Sequence, residues 1–274
     1  MTEYQTTVAA TVTYTGIGLH SGQDVTITLK AAPVNTGIVF ARVDLPEAPR
    51  VAATASNVTN AMRATTLEAG AAKVFTVEHL LAAFYAMKVD NCLVEITAVE
   101  PPVADGSSLP FIRLIQEAGT VEQAAERRQY AVTRAMTIRQ DDKFITILPY
   151  EGFRITFTSI NPHPQLGVQF GDYEITPETF ISELAPARTI GFMHEVEALQ
   201  AQGLALGGSL ENAVVYDHEK ALTPLRFPDE LVRHKILDIV GDLALAGRVS
   251  GHVIAVKSSH ALNTALAKEI LASI

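Results

Sequence analysis

Apolar and polar positions alternate along the first forty residues. Val8, Val12, Val25, Ile27 and Leu29 stand among Thr, Gln and Lys with a period near two. That period predicts half-buried strands, and TGIGLHSG at 15–22 interrupts it as a glycine-rich turn between two of them. The pattern then changes. TVEHLLAAFYAM at 76–87 has no Gly or Pro and carries apolar residues all round, which predicts a helix buried on every face. A turn at 89–91 leads into the strand-like CLVEITAV at 92–99. The loop EPPVADGSSLP follows, and then the helical pattern FIRLIQEAG.

TVEQAAERRQ at 120–129 is polar and charged, and it predicts a domain boundary near 127, with domains at 1–126 and 127–274. The second half returns to strand patterns in YAVTRAMTI, KFITILPY and FRITFTSI. Beyond a Pro/Gly-rich loop, a helix is expected from Met193 to Gln202, closed by Gly203. LVRHKILDIVGDLALAG at 231–247 reads as a second helix ended by Gly247, HVIAVKSS as a strand and ALNTALAKEILASI as a closing helix. The order of elements is alike in the two halves, and placing His79 on His234 sets VEHLL opposite RHKIL. The expectation is α+β: two similar halves, each a sheet covered by helices on one face. If the helical layers face each other, the two histidine-bearing helices meet at the interface.

LVRHKILDIVGD places His234, Asp238 and Asp242 at i, i+4 and i+8, along one face of a helix. A His and an Asp one turn apart can share a zinc ion, although the spacing alone occurs by chance and means nothing on a solvated face. Here the other faces are apolar (Ile236, Leu237, Ile239, Val240, Leu243), so the charged stripe must be paired, coordinated or wet. Glu78-His79 opens the other apolar helix. One reading makes Glu78 a first-turn carboxylate favoured by the helix dipole and His79 a hydrogen-bonded core histidine. The other makes His79, His234 and Asp238 three zinc ligands that leave a fourth position open, as in catalytic sites. Glu78 would then take a proton from water, and His260 in VKSSHALN would serve the leaving group. Asp242 would hold His260, and Lys235 would offer positive charge to a developing oxyanion. His194 and His218 read as surface residues, His252 as flanking a strand and His163 as lying in a loop. His20 is ambiguous.

Composition narrows the classes. The chain has 274 residues, 48% of them hydrophobic and 19% charged, enough for one large domain or two ordinary ones. Its net charge of -9 disfavours nucleic acid as a partner. A lone Cys92 allows no internal disulfide. The N-terminal segment lacks the basic and apolar regions of a signal peptide, and no apolar run approaches the ~20 residues that span a bilayer. A cytoplasmic protein with no transmembrane segment is expected.

The motifs TGIGLHSG, APVNTGIVFARVDL, TVEHLLAAFYAMKVDN, EPPVADGSSLPF, ARTIGFMHEVEALQAQGLALGGS, LVRHKILDIVGDLALAG and KSSHALN occur in this order. Together they resemble the bacterial UDP-3-O-acyl-N-acetylglucosamine deacetylases, over about residues 10–272. The resemblance implies a zinc amidase that releases acetate at the first committed step of lipid A synthesis. It also implies a two-domain α+β sandwich with two helices layered on each sheet. His79, His234 and Asp238 match its zinc ligands, with about one zinc per chain. Glu78 matches the general base, and His260 the cationic general acid with Asp242 as partner. Thr189 matches a hydroxyl that polarises the amide carbonyl. A strand-helix-strand insert at about 184–217 matches the passage for the fatty acyl chain, with Ile190, Phe192, Val196 and Ala205 facing Leu19. Lys235 and Lys257 match contacts to the nucleotide-sugar, and Lys143 is a further candidate. The family often has Phe where Ile190 stands, and the loop SINPHP departs from its commoner acidic-His-Pro arrangement. A monomer is expected. A zinc amidohydrolase acting on another N-acyl sugar or lipid is the alternative within enzymes. A non-catalytic lipid or nucleotide-sugar binder is the alternative outside them, and the set Glu78, His260 and Asp242 argues against it.

Overall fold

The computed structural model of the chain describes residues 3–273. The N-terminal half runs β1 (Val12–Ile17), β2 (Asp24–Ala31), β3 (Ile38–Arg42), β4 (Arg50–Ala52), α1 (Glu78–Ala86), β5 (Cys92–Ile96) and α2 (Leu109–Ala118). The C-terminal half runs β6 (Met136–Gln140), β7 (Lys143–Leu148), β8 (Phe153–Ile160), β9 (Val168–Glu174), α3 (Met193–Ala201), α4 (Glu230–Leu243), β10 (Arg248–Val256) and α5 (His260–Ala272).

The strand order is β1-β2-β5-β3-β4 in the first sheet and β6-β7-β10-β8-β9 in the second. In each, the central strand runs antiparallel to one neighbour and parallel to the other. The two orders are the same with five added to each number. The chain is therefore α+β with a repeated topology, and α1 and α4 hold equivalent places before β5 and β10. A short strand at Gln129–Ala131 also pairs in parallel with β10.

Alternation explains the layers. In β2, Val25, Ile27 and Leu29 are buried, while Thr26 and Thr28 point outward to the Thr15 and Thr13 hydroxyls. In β8, Phe153, Ile155 and Phe157 turn inward in the same way. Each sheet buries one face under its helices, and the two helical layers meet in one continuous core. Every residue of α1 except Tyr85 is buried, because this helix lies between its own sheet and α4. At Gly241 the two helices touch backbone to backbone: a Cβ there would lie 2.0 Å from the Glu78 carbonyl oxygen.

The segment at the expected domain boundary carries regular structure of its own. Thr120–Glu126 forms a strand paired antiparallel with Tyr4–Val8. Thr120–Glu126 itself is largely exposed and paired through its backbone, so its polar side chains carry no strand signal. The helix ends fall close to expectation. α4 continues as a short 3-10 turn to Ala246, and Gly247 stops it at φ 87. Between Ile190–Phe192 and Val214–Tyr216, which pair in parallel, lies α3, none of whose residues is buried.

Candidate active site

The helix spacing brings His234 and Asp238 together on α4, and the α1–α4 packing brings His79 to them. His234 Nε2 lies 3.4 Å and His79 Nε2 3.6 Å from Asp238 Oδ1. The three donor atoms lie within 4.8 Å of one another, and all three residues are buried. Each side chain is turned for ligation. His234 Nδ1 donates to the Ala187 carbonyl at 3.0 Å, which leaves the Nε2 lone pair free. Asp238 Oδ2 accepts from Lys235 Nζ at 2.9 Å. Its Oδ1 is buried without any hydrogen-bond partner among the described residues. A buried, unpartnered carboxylate oxygen is costly unless a cation meets it. Two imidazole nitrogens and one carboxylate oxygen, with room for a fourth donor, form a set that fits zinc. Burial pushes His234 down to about 3, so its ring is neutral. Burial works against ionising Asp238, but the charges of Lys235 and His260 oppose it, and the carboxyl stays well below its usual range.

A second cluster adjoins the first. His260, at the N-terminus of α5, has Nε2 3.9 Å from both Glu78 Oε1 and Asp238 Oδ2. Its Nδ1 lies 2.9 Å from Asp242 Oδ2. Burial lowers the affinity of this ring for a proton, but Asp242, Glu78 and Asp238 outweigh burial and hold its pKa up at about 10. Burial raises the Glu78 carboxyl, against the opposing charges of His260 and His79. The pair thus consists of a carboxylate that binds a proton more readily than usual and an imidazole that is cationic at neutral pH.

Both clusters open into one cavity of about 660 Å³. Its lining includes Glu78, His79, His234, Lys235, Asp238, His260 and Thr189, together with Leu19, Lys143, Ile190, Phe192, Val196, Ala205 and Lys257. Asp242 alone of the expected residues is absent from the lining; it is fully buried behind His260. One wall is apolar and comes from the segment around α3, while Lys143 and Lys257 stand with Ser159 and Asn161 on the sheet side. Leu199 is half-buried and lines the cavity too.

Several residues here escape sequence reasoning. The Thr65 hydroxyl donates to Asp242 Oδ1 at 2.6 Å, and its backbone N–H donates to Glu78 Oε2 at 3.2 Å. Asn263 Nδ2 donates to Asp242 Oδ2 at 2.9 Å; its position three residues after His260 on a helix was the available signal. Buried Glu100 accepts from the backbone N–H groups of His20 and Ser21 at 2.9 and 2.6 Å, fixing the glycine-rich turn. His20 is buried in the cavity wall, where its Nδ1 accepts from Ala205 N at 3.3 Å, and burial pushes its pKa down to about 4. Arg188, next to Thr189, pairs with Glu230 at 2.8 Å. The other histidines lie elsewhere: His194 and His218 are exposed, His252 meets Thr156 Oγ1 at 2.8 Å, and buried His163 meets the Asp217 carbonyl at 3.0 Å.

Comparison with known proteins gives one consistent result. A family model described as UDP-3-O-acyl N-acetylglycosamine deacetylase matches residues 5–272. A UDP-3-O-acyl-N-acetylglucosamine deacetylase of Geobacter sp. (strain M21) is 47% identical over 271 residues, covering 98% of this chain and 89% of that protein. Proteins of the same name from Anaeromyxobacter sp. (strain Fw109-5) and Marinobacter nauticus are 48% and 44% identical. The alignments cover 98% of this chain in both cases, with 88% and 90% of the relatives.

Proposed function

The chain belongs to the UDP-3-O-acyl-N-acetylglucosamine deacetylase family, and on that premise we propose how its residues divide the work of hydrolysing the substrate's N-acetyl amide. The reaction releases acetate and a free amine in lipid A biosynthesis. His79, His234 and Asp238 hold one zinc ion per chain. The observation that carries this reading is Asp238 Oδ1, buried and unpartnered between two imidazole nitrogens beside the Glu78–His260 pair.

Bound zinc supplies Lewis acidity, acidifying water and drawing electron density from a carbonyl. The protein side chains do the rest. Glu78 Oε2 is tied to Thr65, so Oε1 is the free atom that takes a proton from the attacking water. Thr189 Oγ1 donates toward the amide oxygen as charge develops there. His260, kept cationic by Asp242, stabilises that charge and gives a proton from Nε2 to the departing amine. Lys235 holds Asp238 Oδ2 and so leaves Oδ1 facing the histidines.

The apolar wall of Leu19, Ile190, Phe192, Val196 and Ala205 takes the acyl chain, and Lys143 and Lys257 meet the nucleotide diphosphate. Lys257 is held by exposed Asp142, a contact it can exchange for phosphate. The catalytic set crosses from residues 1–126 to residues 127–274, which we treat as the two domains. No helix among the described residues is long and apolar enough to cross a membrane; we place the reaction in the cytoplasm and the protein as a monomer.

The test is deacetylation of UDP-3-O-acyl-N-acetylglucosamine over a range of acyl lengths, with and without a chelator, together with metal analysis of Glu78→Ala. That variant is expected to keep about one zinc per chain and to lose ~100- to 10,000-fold in kcat. Loss of zinc would make Glu78 a ligand, and undiminished activity would remove it as the base. Activity on other N-acylated sugars alone would favour the wider amidohydrolase reading.

A further inference from the structure

Asp242 is fully buried and touches no part of the cavity, yet it sets the direction of the ring that does. Its two oxygens are unequally served. Oδ2 accepts from His260 Nδ1 and Asn263 Nδ2, both at 2.9 Å. Oδ1 accepts only from the Thr65 hydroxyl, at 2.6 Å. Thr65 is itself fully buried, in the loop that leads into the short strand Thr66–Ala69, and it reaches Asp242 across 177 positions of sequence. With its backbone N–H it also holds Glu78 Oε2 at 3.2 Å.

We infer that Thr65 is a positioning residue for both halves of the proton-transfer pair. It fixes the plane in which the Asp242 carboxylate meets His260, and it occupies one Glu78 oxygen so that the other is left for water. The reasoning is geometric. A carboxylate held through one oxygen can rotate about its last bond and tilt its plane away from the imidazole; held through both, it keeps one plane. The hydroxyl therefore locks Asp242, Asp242 locks the His260 ring, and Nε2 stays 3.9 Å from Glu78 Oε1. The same residue's N–H occupies the other Glu78 oxygen, so both partners of the proton transfer are referenced to a single loop position. Nothing else among the described side chains serves Asp242 Oδ1.

This inference rests on the deacetylase reading above, and three variants with two readouts separate the two. Thr65→Val keeps the shape and removes the donor, Thr65→Ser keeps the donor, and Asp242→Asn alters the group acted on. On the zinc-loaded enzyme, Thr65→Val should lower kcat by ~10- to 100-fold, leaving KM within about threefold and zinc content unchanged. Thr65→Ser should stay within about fivefold of wild type. In an Asp242→Asn background, Thr65→Val should cost less than about threefold more, because the carboxylate charge that the hydroxyl orients toward His260 is already gone. The second readout is the proton NMR resonance of His260 Nδ1–H. It should shift or broaden in Thr65→Val and return in Thr65→Ser, whether or not any substrate turns over. The proposal is overturned by an unchanged kcat in Thr65→Val, by equal losses in Val and Ser, by an additive loss in the double variant, or by an unmoved resonance. A wild-type protein inactive on the N-acetylated nucleotide-sugar would instead sink the deacetylase reading, while the resonance would still decide the role of Thr65.

Discussion

Gly241→Ala places one methyl group where α1 and α4 meet, and its consequence follows from three distances. The new Cβ would lie 2.0 Å from the Glu78 carbonyl oxygen, 2.7 Å from its carbon and 3.0 Å from its Cα. All three are backbone atoms, so no side chain can swing away. Ordinary contact would require the helices to part by more than ~1 Å. The Glu78 backbone adjoins the proposed ligand His79, while His234, Asp238 and Asp242 lie on the helix that carries Gly241. A displacement of this size acts directly on the spacing of the site, where a ~1 Å misplacement costs about 100-fold in rate. Stability should change far less. Overpacking costs ~1–3 kcal/mol, against about 1 kcal/mol gained from replacing a helical glycine. For a chain of this size the melting temperature should therefore fall by no more than ~8 °C. The assay measures kcat/KM, zinc content and melting temperature on one preparation. We expect kcat/KM down by ~100-fold or more, with weakened zinc retention in a folded protein. A variant within threefold of wild type and fully loaded with zinc would refute the claim that this close approach sets the site.

Three further outcomes are expected. Burial alone would raise the Glu230 carboxyl, but hydrogen bonds from Arg188 and from the backbone N–H groups of Arg226 and Arg188 outweigh it and hold its pKa below the ordinary value. Its stabilising contribution is thus complete above the unfolded pKa near 4.5 and is lost as pH falls through the lower folded value. Glu230→Gln should cost ~3 kcal/mol at neutral pH and flatten the acid limb of stability in denaturant titrations, whereas a parallel acid limb would contradict this. Glu100→Ala should release the turn at 18–21, whose carbonyls accept from Leu206 N and Gly207 N. KM for a long-chain substrate should then rise ~5- to 10-fold with little change for a short-chain one, and equal effects on both would disconnect the turn from the acyl wall. Stripping zinc should lower the melting temperature, and zinc at ~1,000 times its Kd should restore about 4 kcal/mol of stability, as read by calorimetry.

The sequence made legible those parts of the site that a single helix encodes. His234, Asp238 and Asp242 share a face by spacing alone, and the apolar surroundings in LVRHKILDIVGD required that face to be satisfied. Glu78-His79 could be joined to them only through the expected meeting of the two helices and the family resemblance, and the close approach at Gly241, a residue with no chemistry of its own, carried no signal. Thr65 was invisible because a threonine in a polar loop has no pattern and its partner lies 177 positions away. The strand at Thr120–Glu126 was hidden for a related reason, since backbone pairing at an exposed ribbon leaves side chains free to be polar. Local periodicity reports what one element buries; it does not report which distant element supplies the last hydrogen bond.

The repeated topology sharpens this point, because the site is asymmetric although its frame is not. With His79 set on His234, Ala83 stands where α4 has Asp238 and Met87 stands where it has Asp242. On the proposed reading, one helix supplies a single imidazole and the adjacent base, and the other supplies the chelating pair and the partner of His260. Four protein donors close a zinc site and make it structural; three leave the position that hydrolysis needs. On the proposed reading, buried Ala83 leaves α1 with one metal donor, which fits three protein donors shared between two halves of like topology.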